Sequence, residues 1–493
     1  MEQPTTPPDS EPTIEVIDGV EYVRIRRSAM EARERLLQER IAQLEEANAQ
    51  LRARLKAIEE KLGLNSGNSS LPPSSDRPGN RPKRKNKGRG GRGRGGQKGH
   101  KGTAREALPP EAITHSVLCG LGLCPKCGAR LMPTDAEPVR QQKVEVPEVR
   151  PEVTEYIRPI GVCELCGRRA VAPLPEGVDE GLLGPRALAL IGYLSGAMRL
   201  SRRRVQRLLS QLLGVTVSLG AVSNAEGRLS AALAETHSQA LTFVQRQSVV
   251  GADETGVPLC GKRGWLWLAT TEFVSVFLLR DNRAQRSARE LLGETFGGIL
   301  LTDRYSAYAF FDGLRQFCLA HLARDFERIE QRGGDDAEIG HELSLWLRYV
   351  FSQWHRYKRG ELDRPALQRK VQLHKENIQS WLQDGVDRGT DRTARTCQNL
   401  LVAWDHLWTF LLYDGVEPTN NTSEQRLRHF VCWRRSSGGP QSERGQRFIE
   451  RILTVVQSCA SQRRDVLAFL HRAVLAHLRG GLPPSLLPSP ACS

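Results

Sequence analysis

The sequence predicts a multidomain α/β protein, and three patterns carry that prediction. Near the N-terminus, apolar residues recur at alternating spacings of four and three. Further on, two Cys-x-x-Cys-Gly pairs stand 35 residues apart. After Gln247 the helical period gives way to strand-like alternation. With 493 residues the chain is long enough for about three domains and a large core.

Charge and cysteine content narrow the class before any motif is read. The formal charge is +15, and it is unevenly placed: residues 77–105 carry 12 Lys and Arg and no acid, whereas residues 1–76 carry 10 basic and 14 acidic groups. A local excess of this kind points to nucleic acid as a partner. Eleven cysteines in a long chain without a signal peptide argue for reduced thiols and metal sites over a disulfide framework. No run of 18 apolar residues exists, so a soluble, intracellular protein with no membrane contact is expected.

Residues 1–30 read as a disordered N-terminus. Over 31–63, Leu37, Ile41, Leu44, Asn48, Leu51, Leu55, Ile58 and Leu62 occupy a and d positions of a leucine-zipper-like coiled coil. Asn48 falls at an a site, where a buried amide fixes register, so a homo-oligomer joined through residues 36–62 is expected. Residues 64–106 form a Ser/Pro and then Gly/Arg/Lys-rich linker. It cannot pack a core, but Arg84, Arg89, Arg92, Arg94 and Lys98 can neutralise phosphates without reading bases. A solvated, charged linker is the plainer alternative.

Within 115–172, Cys124, Cys127, Cys163 and Cys166 offer four thiolates, the donor set of a closed tetrahedral Zn²⁺ site. The intervening QQKVEVPEVRPEVTEYIRPIGV has strand character, as a zinc-binding ribbon needs. Residues 180–246 read helical, with a turn near Gly214 and a second helix from about Ser218. That is a candidate helix-turn-helix whose Arg202 and Arg203 face phosphate; two packed amphipathic helices give the same pattern.

From 247 to 330 the chain reads as three antiparallel strands, a short helix around 285–292, and a buried strand ending at Asp303. A fourth strand running parallel to the first is the opening of a ribonuclease-H-like core. Asp253 on the first strand and Asp303 at the end of its neighbour would repel without a cation, and Mg²⁺ or Mn²⁺ takes such oxygens. A third acid, Glu424, opens a helix in the segment 416–440 and would complete a two-metal site. Locally Glu424 also fits a capping box, with Asn421 as N-cap and Glu424 at N3. The 331–415 segment reads as a helical insertion with five tryptophans, 346, 354, 381, 404 and 408. Residues 441–480 supply two more helices, and 481–493 a disordered tail.

DETG (253–256), DRYSAY (303–308), CLAHLARDFERI (318–329) and NNTSEQRLR (420–428) together resemble the insertion-sequence-66 family of bacterial DDE transposases. NSSLPPSSD, GGQKGHKGTAR and the paired cysteines match that family's linker, basic segment and zinc domain in order, over about residues 30–480. The resemblance implies Asp253, Asp303 and Glu424 as catalytic, metal-binding acids acting on transposon ends and target DNA. It also implies accessory proteins of the element and a bacterial cytoplasm, with the chain held at the nucleoid through DNA. His321, Arg324 and Arg428 carry over as DNA contacts. Arg434 and Arg435 keep the charge of the family's next motif, but CysTrpArgArgSerSerGlyGlyPro (432–440) departs from its usual Arg-Lys-Asn form. Two other classes compete: a non-catalytic DNA-binding relative, and a ribonuclease-H-like nuclease without strand transfer.

Overall fold

A computed structural model describes residues 13–18, 20–24, 27–63 and 106–488. They fall into two compact units, one of residues 1–84 with 321–402 and one of 85–320 with 403–493. The basic residues Arg84, Arg89, Arg92, Arg94 and Lys98 lie outside the described residues.

The first unit opens with strands β1 (Thr13–Ile17) and β2 (Val20–Arg24), an antiparallel hairpin where disorder was expected. The register sets Ile14 opposite Val23 and Ile17 opposite Val20, and Asp18 at the end of β1 takes the left-handed conformation at φ 55°. Helix α1 (Arg27–Gly63) follows as one uninterrupted rod. Leu37, Ile41, Leu44 and Leu51 of the heptad stripe are all at least half exposed within this chain.

The second unit begins with the cysteine-bearing segment. It contains only the short antiparallel pair β3 (Ile160–Val162) and β4 (Arg169–Val171), and one isolated bridge between Leu123 and Arg130. The strand character expected for the intervening segment is not realised up to Pro159, where the chain is exposed and unpaired in any sheet. Pro147 and Pro151 lack the N–H groups that a ladder needs. Helices α2 (Pro185–Gly192), α3 (Arg202–Leu213), α4 (Leu219–Ala232) and α5 (Ala234–Val244) come next. Gly214 caps α3 at φ 64°, and Ser218 accepts from Ala221 N–H to start α4, as the sequence signals. The second helix of this pair is a core helix, burying Val222, Ala225, Leu229 and Ala232. Its single cation, Arg228, pairs with Asp179.

Strands β5 (Val249–Leu259), β6 (Lys262–Thr270) and β7 (Ser275–Arg280) form the antiparallel meander, followed by helix α6 (Gln285–Leu292). Strands β8 (Ile299–Thr302) and β9 (Arg315–Phe317) complete a five-stranded mixed sheet in the order β7-β6-β5-β8-β9. β8 runs parallel to β5, with Gly251 opposite Leu301; carried on two residues, that register sets Asp253 opposite Asp303.

Helix α7 (Leu319–Glu330) leads back into the first unit, where α8 (Asp335–Lys358), α9 (Arg364–Asp387) and α10 (Asp391–Val402) pack together. Their shared core holds Leu343, Leu347, Val350 and Trp354 of α8 against Leu367, Val371 and Ile378 of α9. The insertion ends sooner than the expected residue 415. Residues from Ala403, including Trp404, Trp408 and α11 (Thr409–Leu412), belong to the sheet-bearing unit. Gln316 explains why: its side chain accepts from Phe410 N–H at 2.8 Å and donates to the Leu407 carbonyl at 3.1 Å. One edge of the sheet is thereby covered.

Helix α12 (Asn421–Ser437) crosses β5 and β6, and α13 (Glu443–Ser461) and α14 (Val466–Leu478) close the core. α13 covers the opposite sheet edge with a stripe of acceptors spaced four apart. Ser458, Thr454 and Glu450 take the N–H groups of Ser275, Phe277 and Leu279 in turn, at 3.0, 3.2 and 2.6 Å. The side-chain period of the helix thus matches the alternate outward N–H groups of β7. Of the expected tail, Leu486 is buried, and its carbonyl accepts from Gln462 at 2.7 Å. Among the described residues no helix is long and apolar enough to cross a membrane.

Candidate active site

Asp253 lies on β5, Asp303 follows β8 directly, and Glu424 lies in the first turns of α12. Enclosure pushes the Asp253 carboxyl well above the usual range, and Glu254, Asp303 and Glu424 push it further, against the pull of the Glu254 N–H. Asp253 is therefore within electrostatic reach of both other acids. The three carboxylates are not all within 4.8 Å of one another.

Each aspartate has one oxygen tied to its own backbone. Asp253 Oδ1 accepts the Glu254 N–H at 2.9 Å, and Asp303 Oδ1 accepts the Tyr305 N–H at 2.9 Å. These bonds fix both carboxylates while leaving each a second oxygen.

Glu424 is held in place through its helix, and here the capping-box expectation fails. Asn420, not Asn421, is the N-cap, which puts Glu424 at N4 and Ser423 at N3. Nor does Asn420 cap with its side chain. Its amide instead donates to the Ala252 carbonyl on β5 at 2.8 Å, while its oxygen accepts from the Ser423 hydroxyl at 2.6 Å. Its backbone N–H donates to Cys318 Sγ at 3.1 Å, and its carbonyl accepts the Glu424 N–H at 3.2 Å. Asn420 thus clips the residue before Asp253, the end of β9 and the helix of Glu424 together. The Asn420 side chain serves a tertiary bond rather than the helix end.

One turn along, Arg426 is buried and bonds to Thr270, Ser275 and the carbonyls of Thr271 (2.9 Å) and Glu272 (3.0 Å). Burial lowers its pKa to about 10. This cation anchors α12 to the β6–β7 turn; the sequence reading passed over it as one more basic residue. His429 donates to the Gly196 carbonyl at 2.8 Å and ties the helix to the α2 end.

The basic residues divide by environment. Arg434 is half-buried, with Nη1 3.4 Å from Thr255 Oγ1, two residues beyond Asp253 on the same strand face. Arg428, Arg435 and Arg203 are exposed. Arg202 is committed to the buried Glu226 at 2.7 Å. His321 and Arg324 fall on α7 in the other unit. Arg315 was missed: it is buried on β9, donates to Thr302 Oγ1 at 3.2 Å, and couples electrostatically to Asp303.

The cysteine pairs form two matching knuckles. Gly128 N–H returns to the Cys124 carbonyl at 2.9 Å and Gly167 N–H to the Cys163 carbonyl at 2.8 Å, with both glycines near φ 70°. Backbone N–H groups of Lys126 and Cys127, and then the Cys127 side chain, lower the Cys124 pKa. Those of Cys166 and Leu165, followed by the Cys166 side chain, do the same for Cys163. Each pair is shaped to favour a thiolate. Among the described residues the four sulfurs do not converge on one point.

A model of the family described as "Transposase IS66 family" matches residues 180–447, which takes in the sheet, the insertion and α12. A second, described as "Family of unknown function (DUF6444)", matches residues 23–106. Two proteins of Sinorhizobium fredii (strain NBRC 101917 / NGR234) are similar. "Uncharacterized protein y4qI" is 27% identical over 64% of this chain, and "Uncharacterized protein y4hP" is 23% identical over 70%. The chain spans 63% of the length of the first and 69% of the second.

Proposed function

The chain belongs to the IS66 family of transposases, and from that premise we propose that it is a metal-dependent DNA transposase of the DDE type. It would cut at the ends of its insertion sequence and join the liberated 3′-hydroxyl to target DNA. The observation that carries this reading is the juxtaposition of Asp253 with both Asp303 and Glu424, acids from three separate elements. The strand order, with a meander followed by two parallel strands, supports a ribonuclease-H-like core.

The donor set fits a hard divalent cation. Three carboxylates share one region, and the high proton affinity of Asp253 is what a bound cation would relieve. Asp253, Asp303 and Glu424 would hold Mg²⁺ or Mn²⁺, which supplies activation of a water or 3′-hydroxyl and stabilisation of the leaving oxygen. The chain's own part is positioning: backbone amides orient the two aspartates, the Asn420 clip sets Glu424, and Arg434 offers a cation beside the same strand face.

In the same reading Zn²⁺ sits on Cys124, Cys127, Cys163 and Cys166 once the two knuckles close on it. The residue 36–62 stripe pairs with a second copy, and the basic linker with Arg203, Arg428 and Arg435 meets DNA phosphates. Accessory proteins of the element and a nucleoid location complete the proposal.

The test is cleavage of DNA carrying the element's own ends, with Mg²⁺ or Mn²⁺, by wild type and by Asp253→Asn, Asp303→Asn and Glu424→Gln. Each variant should lose at least ~10²-fold in rate while folding normally. Retention of wild-type rate by any one removes that acid from the site.

A further inference from the structure

Glu254 stands beside Asp253 on β5, yet its side chain is only 1% exposed. Arg283 Nε donates to Glu254 Oε1 at 2.9 Å, with Nη2 on the same oxygen, and the Tyr308 hydroxyl donates to Oε2 at 2.8 Å. The Arg283 guanidinium carbon sits over the Tyr305 ring, 3.6 Å from its centre, and the Tyr305 hydroxyl donates to the Arg283 carbonyl at 2.7 Å. Tyr305 and Glu254 are the two residues whose backbone N–H groups hold Asp303 and Asp253. A closed path therefore runs from Asp253 through Glu254, Arg283 and Tyr305 to Asp303.

The root of this path is itself fixed. Asn282 Oδ1 accepts from Ala284 N–H at 3.1 Å and from Ser287 Oγ at 2.9 Å, while Trp267 Nε1 donates to the Asn282 carbonyl at 3.3 Å. Arg283 cannot leave this seat without breaking its bonds to a buried carboxylate. Arg283 is itself partly exposed, but those bonds commit it to the strand beside Asp253.

We propose that Arg283, seated on Glu254 and Tyr305, is a strut that sets the separation of Asp253 and Asp303 for a divalent cation. It is a positioning residue rather than a DNA contact. The inference rests on the reading of those aspartates as metal ligands. Its consequence is that removing the strut weakens metal binding in the absence of DNA, which loss of a phosphate contact would not do.

The test is Mn²⁺ binding to the full-length chain without DNA, read from the electron paramagnetic resonance of free Mn²⁺ well below the melting temperature. Arg283→Gln should weaken affinity roughly 10-fold, the usual scale for groups that orient metal ligands. Arg283→Lys, which keeps the Glu254 charge pair but has no guanidinium to set over Tyr305, should recover part of it. Tyr305→Phe removes only the hydroxyl and should weaken affinity roughly threefold, which serves if Arg283→Gln does not fold. Arg286→Gln, an exposed neighbour paired with Asp281, should leave affinity unchanged. Wild-type affinity in both Arg283→Gln and Tyr305→Phe overturns the strut when Asp253→Asn still abolishes binding. Unaltered binding in Asp253→Asn overturns the metal-ligand reading and the strut with it.

Discussion

Gly251 packs against the start of α12, and Gly251→Ala is the most informative small perturbation of the site. A Cβ added there would lie 2.7 Å from Ser423 Oγ and 3.0 Å from Asn420 Oδ1, where ordinary contact begins at 3.4 Å. Ser423 is fully buried and Asn420 is 3% exposed, so neither has free space to yield. Rotating Ser423 would break its 2.6 Å bond to Asn420 and release the clip. The start of α12 must therefore lift by about 0.7 Å, the difference between those two distances, carrying Glu424 away from Asp253. A displacement near 1 Å at reacting groups costs up to ~10²-fold in rate, whereas the packing strain costs about 1–3 kcal/mol of stability. Single-turnover cleavage of end DNA, with a thermal melt on the same samples, reads both. A loss of roughly 30-fold or more in a folded protein is expected. Gly256→Ala on the same strand, where a Cβ meets nothing within 4 Å, should stay near wild type. Activity of Gly251→Ala within about twofold of wild type would refute the claim that this contact positions Glu424.

Three further outcomes follow from other parts of the chain. Thr454→Val removes the acceptor for the buried Phe277 N–H, so the melting temperature should drop by a few degrees, corresponding to about 1–3 kcal/mol; an unchanged melt would mean that α13 covers the sheet edge by packing alone. Burial lowers the pKa of His237 to about 4, so between that value and the unfolded value near 6.5 the unfolded chain binds a proton that the folded chain refuses. Stability should thus be fully present above pH ~6.5 and fall as pH drops to ~4, by at most about 3 kcal/mol, and denaturant melts should show a shallower fall in His237→Gln. Protein purified without added metal should carry zinc near one ion per chain by mass spectrometry, and Cys127→Ser with Cys166→Ser should abolish it; a ratio near zero in the wild type would sink the zinc assignment.

Much of the sheet was legible because its signals are local. Strand alternation, the short helix after Asn282 and the acid closing β8 each show in a window of a few residues. The acids could be set together from sequence because β5 and β8 were expected to run side by side in parallel, as they do. What escaped are side chains whose role depends on distant partners. Asn421 reads as the cap, and nothing local announces that its neighbour Asn420 reaches Ala252; Arg426 reads as surface charge until the β6–β7 turn encloses it. Nothing near Glu254 in sequence announces its partner Arg283, 29 residues on. The cysteine segment erred the other way. Its apolar alternation suggested strands, but two prolines and the lack of a partner strand leave it extended and exposed up to Pro159.

The central claim is that Glu424 acts as a carboxylate, not as a helix cap. Strand transfer from a pre-cleaved end with a free 3′-hydroxyl, in Mg²⁺ or Mn²⁺, isolates that role from the cutting step. Glu424→Gln preserves length and hydrogen-bonding shape and removes only the charge, so the account predicts transfer reduced at least ~10²-fold with an unchanged melting temperature. Transfer at the wild-type rate by Glu424→Gln would contradict it.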